Sequence, residues 1–328
     1  MARIRTSHPP PSRRRFLSIA AAAAGLPLLP FGSADAATDG ALVTWRGVAL
    51  GAVASLTIHY PDRATAERLV RAAVAETARL EAIFSLYRPD SVLSELNRTG
   101  VVIAPPTELV DLLAACDAMV QATGGVFDPT VQPLWACHAT HFSARGRDAG
   151  PPPAAALRDA LARVGWDKVR FGRDRVAFAT RGMALTLNGI AQGFVTDRVV
   201  ARLRDAGLAH ALVDMGEIYA LGDHPAGRPW QVALERSAAR APDVVPVADR
   251  AVATSAAAGF AFDAGGRCNH LFDPRTGRCA APARRITVVA ATATTADALS
   301  TAFSLMDDAA MAETARRSAV ELHQWRGD

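Results

Sequence analysis

The spacing of hydrophobic residues changes along this 328-residue chain without a regular order, and that most limits what it can fold into. Residues 45–60 alternate apolar and polar around Gly47 and Gly51, the period of half-buried strands. Over residues 64–86 the spacing switches. Leu69, Ala73, Thr77, Leu80 and Phe84 recur three or four apart with charges opposite, which predicts a long amphipathic helix. Residues 108–123 predict a second helix, and Gly150-Pro151-Pro152-Pro153 breaks the chain ahead of a third at 154–164. Short strands are expected at 169–171 and 175–179 around a Gly172-Arg173-Asp174 turn, and further strands at 211–221, 230–235 and 286–291. Helices are expected at 193–206, closed by Gly207, and at 295–306, with a surface helix over 309–328. Strands and helices mix without the strict alternation of a doubly wound sheet. The fold class expected is therefore α+β.

Half of the residues are hydrophobic, enough for a sizeable core. At about 100–200 residues per domain the length suits one large or two ordinary domains. The net charge of +4 is misleading, because residues 1–37 hold Arg3, Arg5, Arg13, Arg14 and Arg15 against the single acid Asp35. The remainder carries 31 basic and 31 acidic residues, so no cationic field steers it onto nucleic acid. Ser12-Arg13-Arg14-Arg15-Phe16-Leu17 resembles the twin-arginine export motif and is followed by an apolar run over 16–29. Gly25 and Pro27 interrupt that run, which is shorter than the roughly 17–25 residues of a membrane span. Ala34-Asp35-Ala36 supplies a small-x-small cleavage pattern. These features predict a twin-arginine (Tat) signal peptide over 1–37, a domain over 38–328 and a periplasmic location. Four cysteines are too few for a disulfide scaffold of this size, and Cys268 and Cys279 flank a turn-rich segment. Cys137-His138 with His141 lacks the fourth ligand of a structural zinc site and is read as a loop.

Four polar segments sit where helices begin or where Gly and Pro force turns, the usual location of ligand-binding loops. In the first, residues 84–97, either Asp90 or Ser91 caps a short helix, and Tyr87 is a wedge beneath it or a ligand contact. The second, Gly124-Gly125-Val126-Phe127-Asp128-Pro129-Thr130, permits close backbone approach and holds Asp128 extended before proline. A turn with a capping Asp explains it equally well. The third, Thr186-Leu187-Asn188-Gly189-Ile190-Ala191-Gln192-Gly193, runs a strand end into a helix whose free amides suit an anion. It matches neither the dinucleotide fingerprint nor the P-loop spacing. The fourth joins residues 269–277 to the helix start at 295–301. Asp297 and Thr301 stand four apart, so both oxygens share one helical face, as a hard cation such as Mg²⁺ requires. Alternatively, Thr295 caps that helix and Asp297 favours its positive end.

In this order the segments resemble the ApbE family of FAD:protein FMN transferases, over roughly residues 45–306. The matching segments are Tyr87 to Asn97, Gly125 to Thr130, Thr186 to Gly193, Thr254-Ser255 with His270 to Gly277, and Ala296 to Thr301. Three departures stand out. Thr186 replaces the family's Asp, Gln192 replaces its Lys, and Gly216-Glu217 replaces a Gly-Gly; this set resembles the NosX subgroup. The resemblance implies an ApbE-like, T-fold-related flavin transferase fold of mixed sheets with helices packed on them. It implies a Mg²⁺-dependent transfer of FMN from FAD to a threonine of a target flavoprotein, with release of AMP. Gly189, Asp297 and Thr301 would hold the metal. Tyr87, Val126, Phe127, Asp128, Thr186, Gln192 and Leu271 would contact FAD. His270, whose ordinary pKa lies near working pH, is the expected general base. The subgroup implies a periplasm-facing partner, a membrane electron-transfer protein of the nitrous oxide reduction type. Two other functions remain open on these residues: hydrolysis of FAD to FMN and AMP, and non-catalytic flavin binding.

Overall fold

The computed structural model describes residues 41–234 and 242–326, so the leader at 1–37 lies outside the described residues. In chain order it has β1 (Ala41–Ala49), β2 (Ala52–Tyr60), α1 (Arg63–Phe84), α2 (Val92–Thr99), β3 (Val101–Ile103) and α3 (Thr107–Ala122). Next come α4 (Gln132–Arg145), α5 (Ala154–Leu161), β4 (Val169–Phe171), β5 (Arg175–Phe178) and α6 (Ala191–Asp205). The chain continues with β6 (Ala211–Asp214), β7 (Ile218–Leu221), β8 (Trp230–Leu234), β9 (Asp243–Val247) and β10 (Arg250–Ala256). It closes with β11 (Arg284–Ala290), α7 (Ala293–Phe303), α8 (Asp308–Arg317) and β12 (Glu321–Arg326).

The period-two segment at the start forms a hairpin, paired from Ala41↔Tyr60 to Ala49↔Ala52. Its two-residue turn holds Leu50 at φ 49° and Gly51 at φ 80°, the positive values that match strand twist. α1 starts at Asp62, whose carboxylate accepts the amides of Ala64 and Thr65, and buries Val70, Ala73, Thr77, Leu80 and Phe84 along one stripe.

The principal sheet has the order β1-β2-β6-β7-β10-β11-β12, and each of its pairings is antiparallel. Ala251 and Ala253 of β10, with Ile286 and Val288 of β11, join the core that α1, α6 and α7 cover. The intervening Val252 and Val289 point the other way, against Trp230, Val232, Val245 and Val247 of the β8–β9 hairpin. Both faces are thus covered, and each large side chain so buried contributes roughly 1.5–3 kcal/mol. β3-β5-β4 forms a smaller sheet, and α4 and α5 enclose a third core with Phe262 and Phe272. The fold class is α+β, as expected.

Four expectations are corrected in detail. The strand expected over 211–221 is two strands, with Met215–Glu217 as their turn. Residues 137–141 belong to α4, where aromatic packing rather than a turn governs them. α7 begins at Ala293, two residues early, and Thr292 rather than Thr295 is its cap. The reason is tertiary: Asp197 of α6 accepts the amides of Ala293 and Thr294 at 2.8 and 2.9 Å, satisfying donors at the helix start. The tail is helical only to Arg317. It turns at Ala319 (φ 52°) into β12, which covers the edge of β11.

Candidate active site

Asn97 on α2 grips the strand-to-helix loop by its backbone, donating to Leu185 O at 2.8 Å and accepting from Leu185 N at 2.7 Å. The next residue, Thr186, donates its amide to Pro129 O at 2.8 Å, which ties the loop to the 124–130 segment. In that segment the Asp128 carboxylate accepts from Thr130 N, Thr130 Oγ1 and Trp166 N, so it holds its own turn. Burial pushes the Asp128 pKa up against those bonds. Val126 and Phe127 are buried. Tyr87 is different: 51% of it is exposed, and its hydroxyl accepts a hydrogen bond from Asn188 at 3.2 Å. A half-exposed aromatic ring held at its polar end is suited to stacking on a planar ligand.

Gly189, the residue after Asn188, abuts α7. A Cβ there would fall 2.9 Å from Thr301 Oγ1, so only glycine lets the loop come this close. Ser255 on β10 lies 3.2 Å from the same hydroxyl and 2.8 Å from Ser300 Oγ. One turn earlier on α7, Asp297 is 3% exposed and accepts the amide of Gly193 at 3.0 Å. A free amide of the α6 N-terminus thus goes to Asp297 rather than to a ligand. Burial pushes the Asp297 pKa up to about 7, opposed by the Gly193 amide and reinforced by Asp197. Two further carboxylates flank the β6–β7 turn. Desolvation carries the Glu217 pKa well above its usual value, with the charges of Asp297 and Asp214 adding to it and the Thr254 amide opposing it. Burial raises that of Asp214 to about 6, against a hydrogen bond from Gly216 N. Gln192 packs over Gly216, where a Cβ would come 2.5 Å from its Nε2.

His270 is half-buried on a turn built over an aromatic cluster. Its Nδ1 donates to Phe260 O at 3.1 Å; a carbonyl only accepts, so Nδ1 carries the proton and Nε2 keeps the lone pair. Burial lowers the His270 pKa, offset in part by that carbonyl. Phe260 stacks on Trp135, and Phe272 packs on His138 at 4.9 Å between ring centres. His138 donates Nδ1 to Leu134 O and is buried, which gives the Cys137-His138 pair a packing role. Among the described residues no group of three His, Cys, Asp or Glu side chains is placed to hold a metal. Leu271 is buried with Ala257 and Ala280.

The structure therefore brings Gly189, Thr301 and Asp297 to one place, beside Gln192 and, through Asn188, Tyr87. Thr186 joins this group to Val126, Phe127 and Asp128. His270 and Leu271 stand on a separate turn, and no described hydrogen bond links His270 to Asp297 or Thr301. Asp197 was not singled out from the sequence, and Asn97 and Asn188 stood in noted motifs without a role, because each acts through a partner 88 or more residues away. Ser255 stood in a noted motif but without a role. A groove of about 670 Å³ between α4 and α5, lined by Cys137, Arg163 and Gly182, contains none of the expected site residues.

An antiparallel α+β body with a buried oxygen-donor centre beside a tethered, exposed tyrosine defines the class. The chain belongs to the ApbE family, whose model matches residues 50–323. A FAD:protein FMN transferase of Haemophilus influenzae is 30% identical over 281 residues, covering 79% of each chain. One from Treponema pallidum is 33% identical over 270 residues, 74% of this chain and 73% of that one. The crystal structure of the Pseudomonas stutzeri flavinyl transferase ApbE, apo form, superposes with a TM-score of 0.76 at 26% identity, covering 90% of this chain and 94% of that one.

Proposed function

We propose that this protein is a transferase that moves FMN from FAD to a threonine hydroxyl of a target flavoprotein, with Mg²⁺ bound at Asp297, Thr301 and Gly189. The observation that carries this reading is the convergence of a buried carboxylate and a hydroxyl on a loop whose glycine leaves room for nothing larger. The donors are hard oxygens, and the residues fit a hard divalent cation. When bound, Mg²⁺ supplies neutralisation of the charge that develops on the phosphoryl oxygens.

The remaining work falls to the chain. Tyr87 offers a ring face to the isoalloxazine, and the 126–128 backbone, Thr186, Gln192 and Leu271 bound the flavin nucleotide. Thr186 and Gln192 are neutral, so they hold by shape and hydrogen bonding rather than charge. His270 takes the hydroxyl proton on Nε2 while Phe260 O fixes its tautomer. The threonine oxygen then bonds to the phosphorus on the FMN side, the pyrophosphate bridge breaks, and AMP leaves with the bridging oxygen. The twin-arginine pattern at 1–37 supports export to the periplasm. No helix among the described residues is long and apolar enough to cross a membrane. The NosX-like departures support a periplasm-facing flavoprotein of membrane electron transfer as the partner.

Intact-mass measurement tests the reading. Mixing the protein with FAD, Mg²⁺ and a threonine-bearing acceptor domain is expected to add one FMN phosphoryl group to the acceptor and release AMP. Release of free FMN regardless of acceptor would instead make it a FAD hydrolase, and FAD recovered unchanged would make it a binding protein.

A further inference from the structure

Three hydroxyls on β10 and α7 are joined in one line, and counting their hydrogens fixes its direction. A hydroxyl has one hydrogen to give and lone pairs with which to receive. Ser300 is fully buried, and its Oγ donates to Asp297 O at 2.9 Å; a carbonyl only accepts, so the one hydrogen of Ser300 is committed there. Ser255 Oγ, 2.8 Å from Ser300 Oγ, is therefore the donor of that pair. This commits the hydrogen of Ser255 in turn, so in its 3.2 Å contact with Thr301 Oγ1 the threonine donates. The reverse order would leave Ser300 Oγ and Asp297 O 2.9 Å apart with no hydrogen between them, in a place shut off from water. Among the described residues no other side-chain hydrogen bond reaches Thr301 Oγ1. Its lone pairs are uncommitted beside Gly189, where a Cβ would lie 2.9 Å from that oxygen.

Resting on the metal centre proposed above, we infer that Ser255 is a positioning residue for Thr301: it takes up the threonine's hydrogen and so presents Thr301 Oγ1 as a lone-pair donor to the divalent ion. A neutral hydroxyl that binds a cation must point its hydrogen away from it, and an outer partner that holds the hydrogen there fixes the ligand's orientation. Ser300 sets the direction from behind, because its buried bond to Asp297 O obliges Ser255 to donate to it and to accept from Thr301. The links of such a line polarise one another, which makes Thr301 Oγ1 more electron-rich. The line stands on the chain's own oxygens, so its order is testable apart from the metal.

Neutron diffraction from crystals of the deuterated, metal-free protein reads the line directly. Deuterium is expected on Thr301 Oγ1 towards Ser255 and on Ser255 Oγ towards Ser300, and the opposite order overturns the inference. Its consequence is read by titrating Mn²⁺, followed by its electron paramagnetic resonance signal, into the full-length protein with FAD present. Ser255→Ala is expected to weaken Mn²⁺ binding about ten- to a hundredfold, the range for residues that support metal ligands. Ser255→Thr keeps the hydroxyl and is expected to restore binding. Ser300→Ala is expected to weaken binding in the same sense, because Ser255 is then free to turn its hydrogen onto Thr301; this variant carries the test if Ser255→Ala does not fold. A merely structural serine would lower the melting temperature and leave the Mn²⁺ affinity of the folded variant where it was. Unchanged affinity in folded Ser255→Ala, or in Ser300→Ala, overturns the role of Ser255 while leaving the centre intact. Failure of wild type to bind Mn²⁺ at all overturns the centre itself.

Discussion

His270 shows how one backbone carbonyl sets a residue's chemistry. Because Phe260 O holds the proton on Nδ1 and burial lowers the pKa, the imidazole is neutral at working pH with Nε2 ready to accept. The rate of FMN transfer is expected to rise with pH through a midpoint below about 6.5, the ordinary histidine value, and then level off. His270→Asn should lower turnover about a hundred- to ten-thousandfold and flatten that limb, which a pH–rate profile checks. Asp297→Ala should remove Mg²⁺-dependent turnover while FAD still associates, because Tyr87 and the 126–128 segment stand on other elements. Equilibrium dialysis with FAD, run beside the activity assay, distinguishes the two effects. Asp214 makes a stability argument. Its pKa rises from 3.8 to about 6, so the folded state binds this proton more tightly than the unfolded chain does. Ionisation of Asp214 therefore opposes folding, not at all below about pH 4 and fully above about pH 6. Asp214→Asn should stabilise the metal-free protein by on the order of 1–2 kcal/mol at pH 7.5 and leave it unchanged at pH 4, as thermal melts at both values would show.

Between elements, the decisive contact is the crossing of α6 and α7. A Cβ at Gly193 would lie 2.2 Å from Ala293 O, so the two helices touch through backbone there. The same closeness lets the Gly193 amide reach Asp297 and lets Asp197 cap α7. Gly193→Ala is expected to push the helices apart at a cost of roughly 1–3 kcal/mol in chemical denaturation. It should weaken metal binding in the same variant, because the Gly193 amide that orients Asp297 moves with the helix. The periodicity of α1 was legible in the sequence, since its buried stripe recurs at the expected spacing. The start of α7 was not. Thr292 is its local cap, but the amides of Ala293 and Thr294 are taken by Asp197, and a contact supplied by another helix leaves no local trace.

Across the whole molecule, one antiparallel sheet carries a large helical core on one face and the β8–β9 hairpin on the other. β12 completes it by pairing with β11 from Arg284↔Arg326 to Val289↔Glu321. Removing the chain from Val320 onward strips that partner and leaves the backbone of β11 open. The truncated protein is expected to associate in a concentration-dependent way, visible by light scattering where the full chain stays monodisperse. The same architecture explains why the site draws on residues 87, 189, 255 and 297. β10 and α7 come from the last third of the chain, the loop from its middle and Tyr87 from its first third. Only the folded sheet and the helices packed on it bring them together.

Residue order alone was enough for the α+β class, the strand and helix periods and the motif set that places the chain among ApbE-like proteins. Those properties depend on local spacing and on chemical identity, which a linear string carries in full. It gave Ser255 no role, and it was silent on the backbone amides held by Asp197, on the grip of Asn97 on Leu185 and on the strand at the tail. Each of these depends on two distant segments meeting at hydrogen-bond distance or inside a common low dielectric. Distance and burial are properties of the packed molecule, and only the tertiary structure decided them.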